Sequence, residues 1–181
     1  EQTSELEQLS QHMETLAKHD TLTALPNRSA FYEHVKDEML RAGARGYSLA
    51  MAFVDLDGFK AVNDEYGHDV GDGIIKHAAE RITGAIRADD FVARLGGDEF
   101  VVLLSCRNAE RINVNKVAEK ILASLGAPFD VGGRSIALSA SIGVAFYPTD
   151  GGDLESLLRR ADGEMYKVKR AGKNGYRIAA G

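Results

Sequence analysis

The chain has 181 residues, a formal net charge of −5 and 44% hydrophobic residues, which is ordinary for a globular protein. Its length is enough for one domain with a hydrophobic core and for little else. The acidic balance argues against a nucleic-acid surface, which would be basic. It does not argue against a nucleotide ligand, because a bound metal ion can supply the missing positive charge.

Cysteine content and hydropathy indicate the compartment. The single cysteine, Cys106, excludes an internal disulfide and suits a reducing cytosol. No apolar run is long enough to span a bilayer, and no signal peptide is visible. We therefore expect a cytoplasmic fragment without membrane contact. Because the chain begins with Glu1 and not with Met, we expect a longer parent protein, which could itself be membrane-anchored.

The first predicted element is an amphipathic helix at residues 4–18. Its apolar residues follow the three-four-three spacing of a coiled-coil seam: Leu6, Leu9, Met13 and Leu16. Two heptads are too few to form a coiled coil alone. The helix is therefore either the truncated end of a dimerising stalk or a helix folded back on its own domain.

Helical and strand periods alternate along the rest of the chain. Asn27 after Pro26 predicts a helix cap, and Gly43 is expected to end that helix. The later predicted elements are a strand at 47–55, helices at 58–66 and 71–86, a hairpin at 91–105, a helix at 110–125, a turn at 132–133, a strand at 139–146, a helix capped by Asp153 and an edge strand at 176–178. This order predicts an α/β (α+β) sandwich, with helices on the faces of a mixed, largely antiparallel sheet.

The most informative segment is Arg-Leu-Gly-Gly-Asp-Glu-Phe at residues 94–100. Apolar runs on both sides predict buried strands, so Gly96 and Gly97 mark a hairpin turn. A turn does not require two acids at its tip. Placed there, Asp98 and Glu99 could hold a hard divalent cation or accept a proton.

A second acidic segment supports the same interpretation. The strand at 47–55 ends in Asp55, and Asp57 follows two residues later. A carboxylate at the end of a central strand, facing an acid on a hairpin, is a common way to bind Mg²⁺ with nucleotide phosphates. Each acid alone could be a solvated turn residue, but Asp55 together with the hairpin acids favours a metal site.

These segments resemble a known family. Residues 96–100 read Gly-Gly-Asp-Glu-Phe, the signature that names the GGDEF family of diguanylate cyclases. Further segments resemble the motifs of that family in the same order: residues 20–28, 55–64, 67–72, 141–144 and 161–174. Several motifs in order are far more specific than the signature alone. The resemblance implies a ferredoxin-like core of the kind shared with nucleotide cyclases and polymerase palms.

The resemblance implies a diguanylate cyclase that condenses two GTP molecules into cyclic di-GMP and two pyrophosphates. It implies a homodimer that uses Mg²⁺, which Mn²⁺ could replace. It also favours the stalk, and so divides the chain into a signalling helix at residues 1–20 and a catalytic domain at residues 21–181. The alternative is a catalytically weak module that binds GTP or cyclic di-GMP and regulates a neighbouring domain. A mononucleotide cyclase or polymerase-like palm is disfavoured by Asn63, Asp72 and the Arg87-to-Asp90 segment described below.

The family pattern implies a metal site at the two acidic segments. Asp55 and Asp98 are the expected ligands, and the backbone carbonyl of Leu56 is a third oxygen. Glu99 is either a further ligand or the general base, since a carboxylate beside Mg²⁺ suits both roles. The glycines at 96–97 would let the nucleotide lie over the hairpin.

Asn63 and Asp72 are the residues that the family pattern assigns to guanine recognition. A carboxylate can accept hydrogen bonds from guanine N1–H and N2–H₂, and an amide can serve the N2 or N3 side. Without the resemblance, both residues would be interpreted as helix caps.

The implied phosphate-binding residues are cations near the chain's end. Lys169 and Lys173 lie four apart, so we expect them on one face of the last helix as clamps for the β- and γ-phosphates. Lys60, with the backbone amides around Phe59, could also hold phosphate at a helix N-terminus. Glu164 stands where the family usually has alanine, and we expect a tolerated surface or packing variation.

Arg87-Ala-Asp-Asp90 ends five residues before Gly96. This spacing resembles the RxxD inhibitory site of the family, which binds the cyclic di-GMP product. Arginine can pair with a phosphate or stack on guanine, and aspartate can accept from the guanine edge. The alternative is a helix-end arginine followed by a turn aspartate.

Overall fold

The structure, a computed structural model, describes residues 2–107 and 111–180. Its helices are α1 (Gln2–Lys18), α2 (Arg28–Arg45), α3 (Phe59–Tyr66), α4 (His68–Ala85), α5 (Arg111–Gly126) and α6 (Leu154–Arg170). Its strands are β1 (Ser48–Asp57), β2 (Phe91–Gly96), β3 (Glu99–Cys106), β4 (Phe129–Val131), β5 (Arg134–Ile136), β6 (Ser139–Tyr147) and β7 (Gly175–Ile178). The helix predicted at 110–125 is thus observed from Arg111, and residue 110 lies outside the described residues.

Within the described residues, five strands form the main sheet in the order β2-β3-β1-β6-β7. β1 pairs antiparallel with both β3 and β6, β2 pairs antiparallel with β3, and β6 pairs parallel with β7. The predicted mixed, largely antiparallel sheet is therefore confirmed. The order of β2, β3, β1 and β6 is that of a ferredoxin-like core. It makes β1 the central strand, with the hairpin strand β3 on one side of it.

Helices cover both faces of this sheet and create two hydrophobic cores. Alternate residues of β1 enter opposite cores, as the pleat of a strand requires: Val54 packs with α4 and α5, whereas Phe53 packs with α2 and α6. Gly143 of β6 brings α6 close to the sheet, since a Cβ there would overlap the backbone of Ala161 and Met165. Asp55 and Asp57 follow the alternation of Phe53 and so belong to the α6 face.

The ends of several helices follow local chemistry. The Asn27 side chain accepts from Ala30 N at the start of α2, so the predicted cap is confirmed. The prediction that Gly43 ends this helix is wrong: α2 continues to Arg45 and stops at Gly46, whose φ of 75° is left-handed. A glycine inside a helix does not break it, whereas a positive φ does.

Helix α1 stands apart from both cores. None of its described residues is buried, and the seam residues Leu6, Leu9, Met13 and Leu16 are exposed by 53 to 67%. At its end, Lys18 pairs with Glu33 of α2 at 2.7 Å. The helix is therefore not folded back on the sheet, and its apolar seam faces solvent. In the part of the chain that the structure describes, no helix is long and apolar enough to cross a membrane.

Candidate functional site

The two acidic segments meet at one end of the sheet. Asp55, near the end of β1, is in register with Glu99 at the start of β3. The turn between β2 and β3 is tight because Gly96 and Gly97 adopt positive φ values of 145° and 51°. The turn brings Asp98 beside Asp55, so that the two predicted metal acids are in direct contact.

This contact has an electrostatic consequence. Burial raises the pKa of Asp55 to about 8, and the hydrogen bond and charge of Asp98 act in the same direction. Burial and the charges of Asp98 and Asp162 likewise raise the pKa of Glu99. The atom Oδ1 of Asp55 is buried and has no hydrogen-bond partner among the described residues. A half-buried carboxylate pair with one buried, unpartnered oxygen suits a divalent cation.

The set of side-chain ligands is small. Among the described residues, no three His, Cys, Asp or Glu side chains converge in a metal-binding cluster. The available oxygens are those of Asp55 and Asp98, with the nearby carbonyl of Leu56. Such a set suits Mg²⁺, which is usually held by one or two carboxylates and completes its shell with water and substrate phosphates.

A lysine of α6 already places positive charge at these oxygens. The ammonium of Lys169 lies 3.4 Å from Asp55 Oδ2, 3.5 Å from the carbonyl oxygen of Leu56 and 3.1 Å from Asp57 Oδ1. The predicted phosphate clamp is therefore within reach of the predicted metal site.

The expected helical pairing of Lys169 with Lys173 is wrong. Helix α6 ends at Arg170, and Lys173 lies in the turn before β7 with a φ of 65°. The turn forms because Gly172 and the two following residues adopt positive φ, while Lys173 N–H donates to Val168 O at 2.9 Å. Lys173 is exposed, and it would approach a nucleotide from a loop.

The predicted guanine residues lie where α3 meets α4. Asn63 is in the last turn of α3, and Asp72 is an exposed residue inside α4, so Asp72 is not a helix cap. A Cβ on Gly71 would overlap Asn63 Oδ1 and lie 3.2 Å from the ring of Phe59. The absence of a side chain at Gly71 therefore permits the observed position of Asn63. Lys60 is exposed in the first turn of α3.

Arg94, to which sequence reasoning assigned no role, holds the acidic hairpin. Its Nη1 lies 3.1 Å from both carboxylate oxygens of Asp20, and its Nε and Nη2 donate to Gly97 O at 3.0 and 2.9 Å. Burial opposes ionisation of Asp20, but hydrogen bonds from Thr23 and Arg94 outweigh it and lower its pKa. Arg94 thus connects the segment after α1 with the turn that carries Asp98. The sequence signal for this role was the position of Arg94 just before the two glycines of the turn.

The sequence model of the family described as diguanylate cyclase, GGDEF domain, matches residues 17–175. This chain belongs to the GGDEF-domain family.

Known GGDEF proteins resemble the chain along most of its length. MucR of Pseudomonas aeruginosa, a bifunctional diguanylate cyclase/cyclic di-GMP phosphodiesterase, is 44% identical over 161 residues, which is 89% of this chain and 23% of MucR. The chain spans 20 to 23% of the length of three relatives that it matches. The similarity therefore does not assign the activities of those whole proteins to this chain.

Two solved structures show the same fold. The GGDEF domain of TpbB from Pseudomonas aeruginosa is 40% identical with a TM-score of 0.86, over 90% of this chain and 94% of that one. The coiled coil and GGDEF domain of DgcB from Caulobacter crescentus, in complex with c-di-GMP, is 30% identical with a TM-score of 0.85, over 98% and 95%. The predicted fold class and family are therefore confirmed.

The RxxD segment of this GGDEF domain lies beside a cavity. Arg87 is half-exposed, while the Asp90 side chain is buried and accepts from Arg87 N at 2.9 Å and from Arg87 Nε at 3.4 Å. A cavity of about 230 Å³ next to Arg87 is lined on its rim by Lys116 and Lys120. A ligand approaching this surface would meet Arg87 first, with Asp90 behind it.

Glu164 is not a surface variation. It is 3% exposed. Its Oε1 lies 2.9 Å from Lys167 Nζ and 3.7 Å from Arg160 Nε, and its Oε2 lies 3.3 Å from Arg177 Nε. Burial opposes its charge, but hydrogen bonds from Lys167 and Arg177 outweigh burial and lower its pKa. Through Arg177, which lies on β7, the carboxylate ties α6 to the edge of the sheet.

Proposed function

We propose that this GGDEF domain is a diguanylate cyclase, which condenses two GTP molecules into cyclic di-GMP and releases two pyrophosphates. The proposal is carried by the contact between Asp55 and Asp98 under a glycine turn, where one buried carboxylate oxygen has no partner among the described residues. The proposed metal is Mg²⁺, and Mn²⁺ could replace it. Its ligands are Asp55, Asp98 and the carbonyl of Leu56.

The reaction is a phosphoryl-type transfer. The 3′-hydroxyl oxygen of one GTP bonds to the α-phosphorus of the other, the bond to the β-phosphate oxygen breaks, and the hydroxyl proton leaves. Such a step needs in-line alignment and neutralisation of the phosphate charge. A bound metal ion supplies part of that neutralisation as a Lewis acid.

The chain's own residues are assigned complementary roles. Lys169 neutralises phosphate charge beside the acid pair, with Lys173 and Lys60 as outer cations. Glu99 accepts the hydroxyl proton or adds a ligand, and its raised pKa is favourable for a base. Asn63 and Asp72 bind the guanine edge.

Two protomers are required for the complete reaction. One site binds one GTP, so two sites must face each other before the nucleotides can join. The exposed apolar seam of α1 supports a homodimer, because a second copy of the helix could cover it.

The RxxD segment is proposed as an inhibitory site for cyclic di-GMP. The half-exposed guanidinium of Arg87 can bind a phosphate or stack on guanine, and Asp90 orients it. Lys116 and Lys120 on the adjacent cavity add positive charge for an anionic ligand.

A product assay tests the proposal. The protein is incubated with GTP and Mg²⁺ and the products are identified by mass, with Asp98→Ala as the inactive control. We expect cyclic di-GMP from the wild type and none from the variant. Bound but unreacted GTP would favour the alternative of a regulatory module. Cyclic GMP as the product would identify a mononucleotide cyclase.

A further inference from the structure

A second carboxylate on β1, Asp57, has a different environment from Asp55. Asp57 is 5% exposed, and its carboxylate accepts four hydrogen bonds from protein donors. Oδ1 accepts from Ser141 Oγ at 2.7 Å and from Lys169 Nζ at 3.1 Å. Oδ2 accepts from Ser139 Oγ at 2.6 Å and from Asn174 N at 3.1 Å. One carboxylate therefore joins β1, β6, α6 and the turn before β7.

These four bonds leave no capacity for a metal ion. An ionised carboxylate has about four lone-pair positions, and here each is used by a protein donor. Asp55 differs, because its Oδ1 has no partner among the described residues. The two neighbouring acids are thus divided between ligand binding and internal anchoring.

Asp57 anchors two of the segments to which phosphate binding is assigned: Lys169 on α6 and the turn that carries Lys173. A lysine side chain is long and flexible, so its ammonium stays in one place only where an acceptor holds it. Asp57 uses one of the three N–H donors of Lys169, and the others face Asp55 and Leu56. The bond to Asn174 N fixes the residue directly after Lys173, in a turn where both have positive φ.

We infer that Asp57 is a positioning residue, which holds Lys169 and the turn carrying Lys173 where the β- and γ-phosphates of GTP bind. The inference rests on the proposed function and adds to it a residue that touches neither metal nor nucleotide. It assigns a role to Ser139 and Ser141 as well, since their hydroxyls orient the Asp57 carboxylate.

The test compares nucleotides that differ in phosphate number. Dissociation constants of GTP and GMP are measured with Mg²⁺ for the wild type, Asp57→Asn and Ser139→Ala. Loss of a residue that orients a metal ligand typically weakens metal binding about 10- to 100-fold, and we take the same range for a residue that orients a phosphate-binding lysine. We expect that loss for GTP in Asp57→Asn and little change for GMP, which lacks the β- and γ-phosphates. Ser139→Ala keeps the charge of Asp57, so we expect a smaller change of the same sign.

Glu164→Gln is the matched control. It also neutralises a buried carboxylate with cationic partners, here on α6 itself, but it has no contact with Lys169. We expect it to lower thermal stability without changing the ratio of the GTP and GMP constants. Equal weakening of both nucleotides by Asp57→Asn would show a structural role alone and overturn the inference.

A second readout separates this inference from the proposed function. The rate at which an amine-acylating reagent labels Lys169, measured by mass spectrometry without nucleotide, reports how firmly the ammonium is held. We expect faster labelling in Asp57→Asn than in the wild type, with exposed Lys60 as the internal reference. Unchanged labelling would overturn the anchoring. Faster labelling in a protein whose wild type binds no GTP would overturn the proposed function and the phosphate role, while leaving the anchor itself demonstrated.

Discussion

At the scale of single residues, the acid pair that forms the proposed metal site also lowers the stability of the metal-free protein. Asp55 and Asp98 are held together in a partly buried site, and the pKa of Asp55 is raised to about 8 by burial and by Asp98. A carboxyl whose pKa is higher in the folded state destabilises that state as pH rises from its unfolded value towards 8. Near neutral pH the metal-free protein therefore carries an electrostatic penalty, which a bound cation would relieve.

We predict that Asp55→Asn abolishes cyclic di-GMP formation and stabilises the metal-free protein by about 1 kcal/mol near neutral pH. The substitution removes the cost of the raised pKa, because an amide does not ionise in the unfolded chain, and it keeps the shape of the side chain. Thermal unfolding with and without Mg²⁺ and GTP is the measurement. The wild type should gain stability from these ligands and the variant much less. An active or clearly destabilised Asp55→Asn protein would contradict the assignment.

At the scale of elements, the crossing of α3 and α4 decides where Asn63 and Asp72, the residues proposed to bind guanine, lie. Gly71 on α4 faces Asn63 on α3 so closely that a methyl group would overlap the amide oxygen. Gly84, on the same helix, has open space around an added Cβ. The two glycines therefore form a matched pair, in which one substitution disturbs Asn63 and the other does not.

We predict that Gly71→Ala weakens GTP binding and reduces the preference for GTP over inosine triphosphate, which lacks the guanine amino group. Gly84→Ala should leave both properties unchanged and gain up to about 1 kcal/mol of stability, the usual difference between the two residues in a helix. The measurement is the pair of dissociation constants for each variant. If Gly71→Ala lowers affinity equally in an Asn63→Ala background, its effect does not pass through Asn63.

At the scale of the whole molecule, the proposed reaction requires two domains to meet. We predict that specific activity rises with protein concentration, because each protomer carries half of the reacting pair and α1 supplies only two heptads. Leu9→Glu, on the exposed seam, should weaken the dimer and the activity together. Gln8→Glu adds the same charge beside the seam and should change little. Sedimentation and initial rates provide the measurement, and activity that is constant in a monomeric sample would refute the two-protomer mechanism.

The product is predicted to inhibit through a surface distant from the acids. Arg87→Ala should raise the inhibition constant of cyclic di-GMP about tenfold, the size expected when one charge-assisted contact is lost. Inhibition of the wild type should be non-competitive with GTP, since Arg87 does not line the acid pair. Lys76→Ala, an exposed cation on α4, is the control. Inhibition that excess GTP removes, or equal inhibition of all three proteins, would indicate that the segment is only a helix end and a turn.

Much of the architecture could be predicted because its signals are local. Continuous apolar runs predict the buried strands, Asn27 and Asp153 cap their helices as expected, and two glycines produce the positive φ values of the acidic turn. These features depend on residues a few positions apart. The contact between Asp55 and Asp98 was also predictable, because an acid at the end of a central strand and an acid on a neighbouring hairpin turn can lie at the same end of the sheet.

The roles of other residues were decided by contacts that sequence proximity does not reveal. Asp57 stands two positions from Asp55, yet its hydrogen-bond partners are 82 to 117 residues away along the chain. Lys173 continues the helical spacing of Lys169, but glycine and positive φ turn the chain out of α6 before it. Glu164 has two cationic partners on its own helix, but it connects α6 with the edge of the sheet only because β7 places Arg177 against it. The amino-acid sequence by itself determined the elements, the acidic hairpin and the family. The tertiary structure alone decided which carboxylate keeps an unpartnered oxygen and which holds several elements together, because burial and long-range hydrogen bonds arise only after the sheet and α6 have packed.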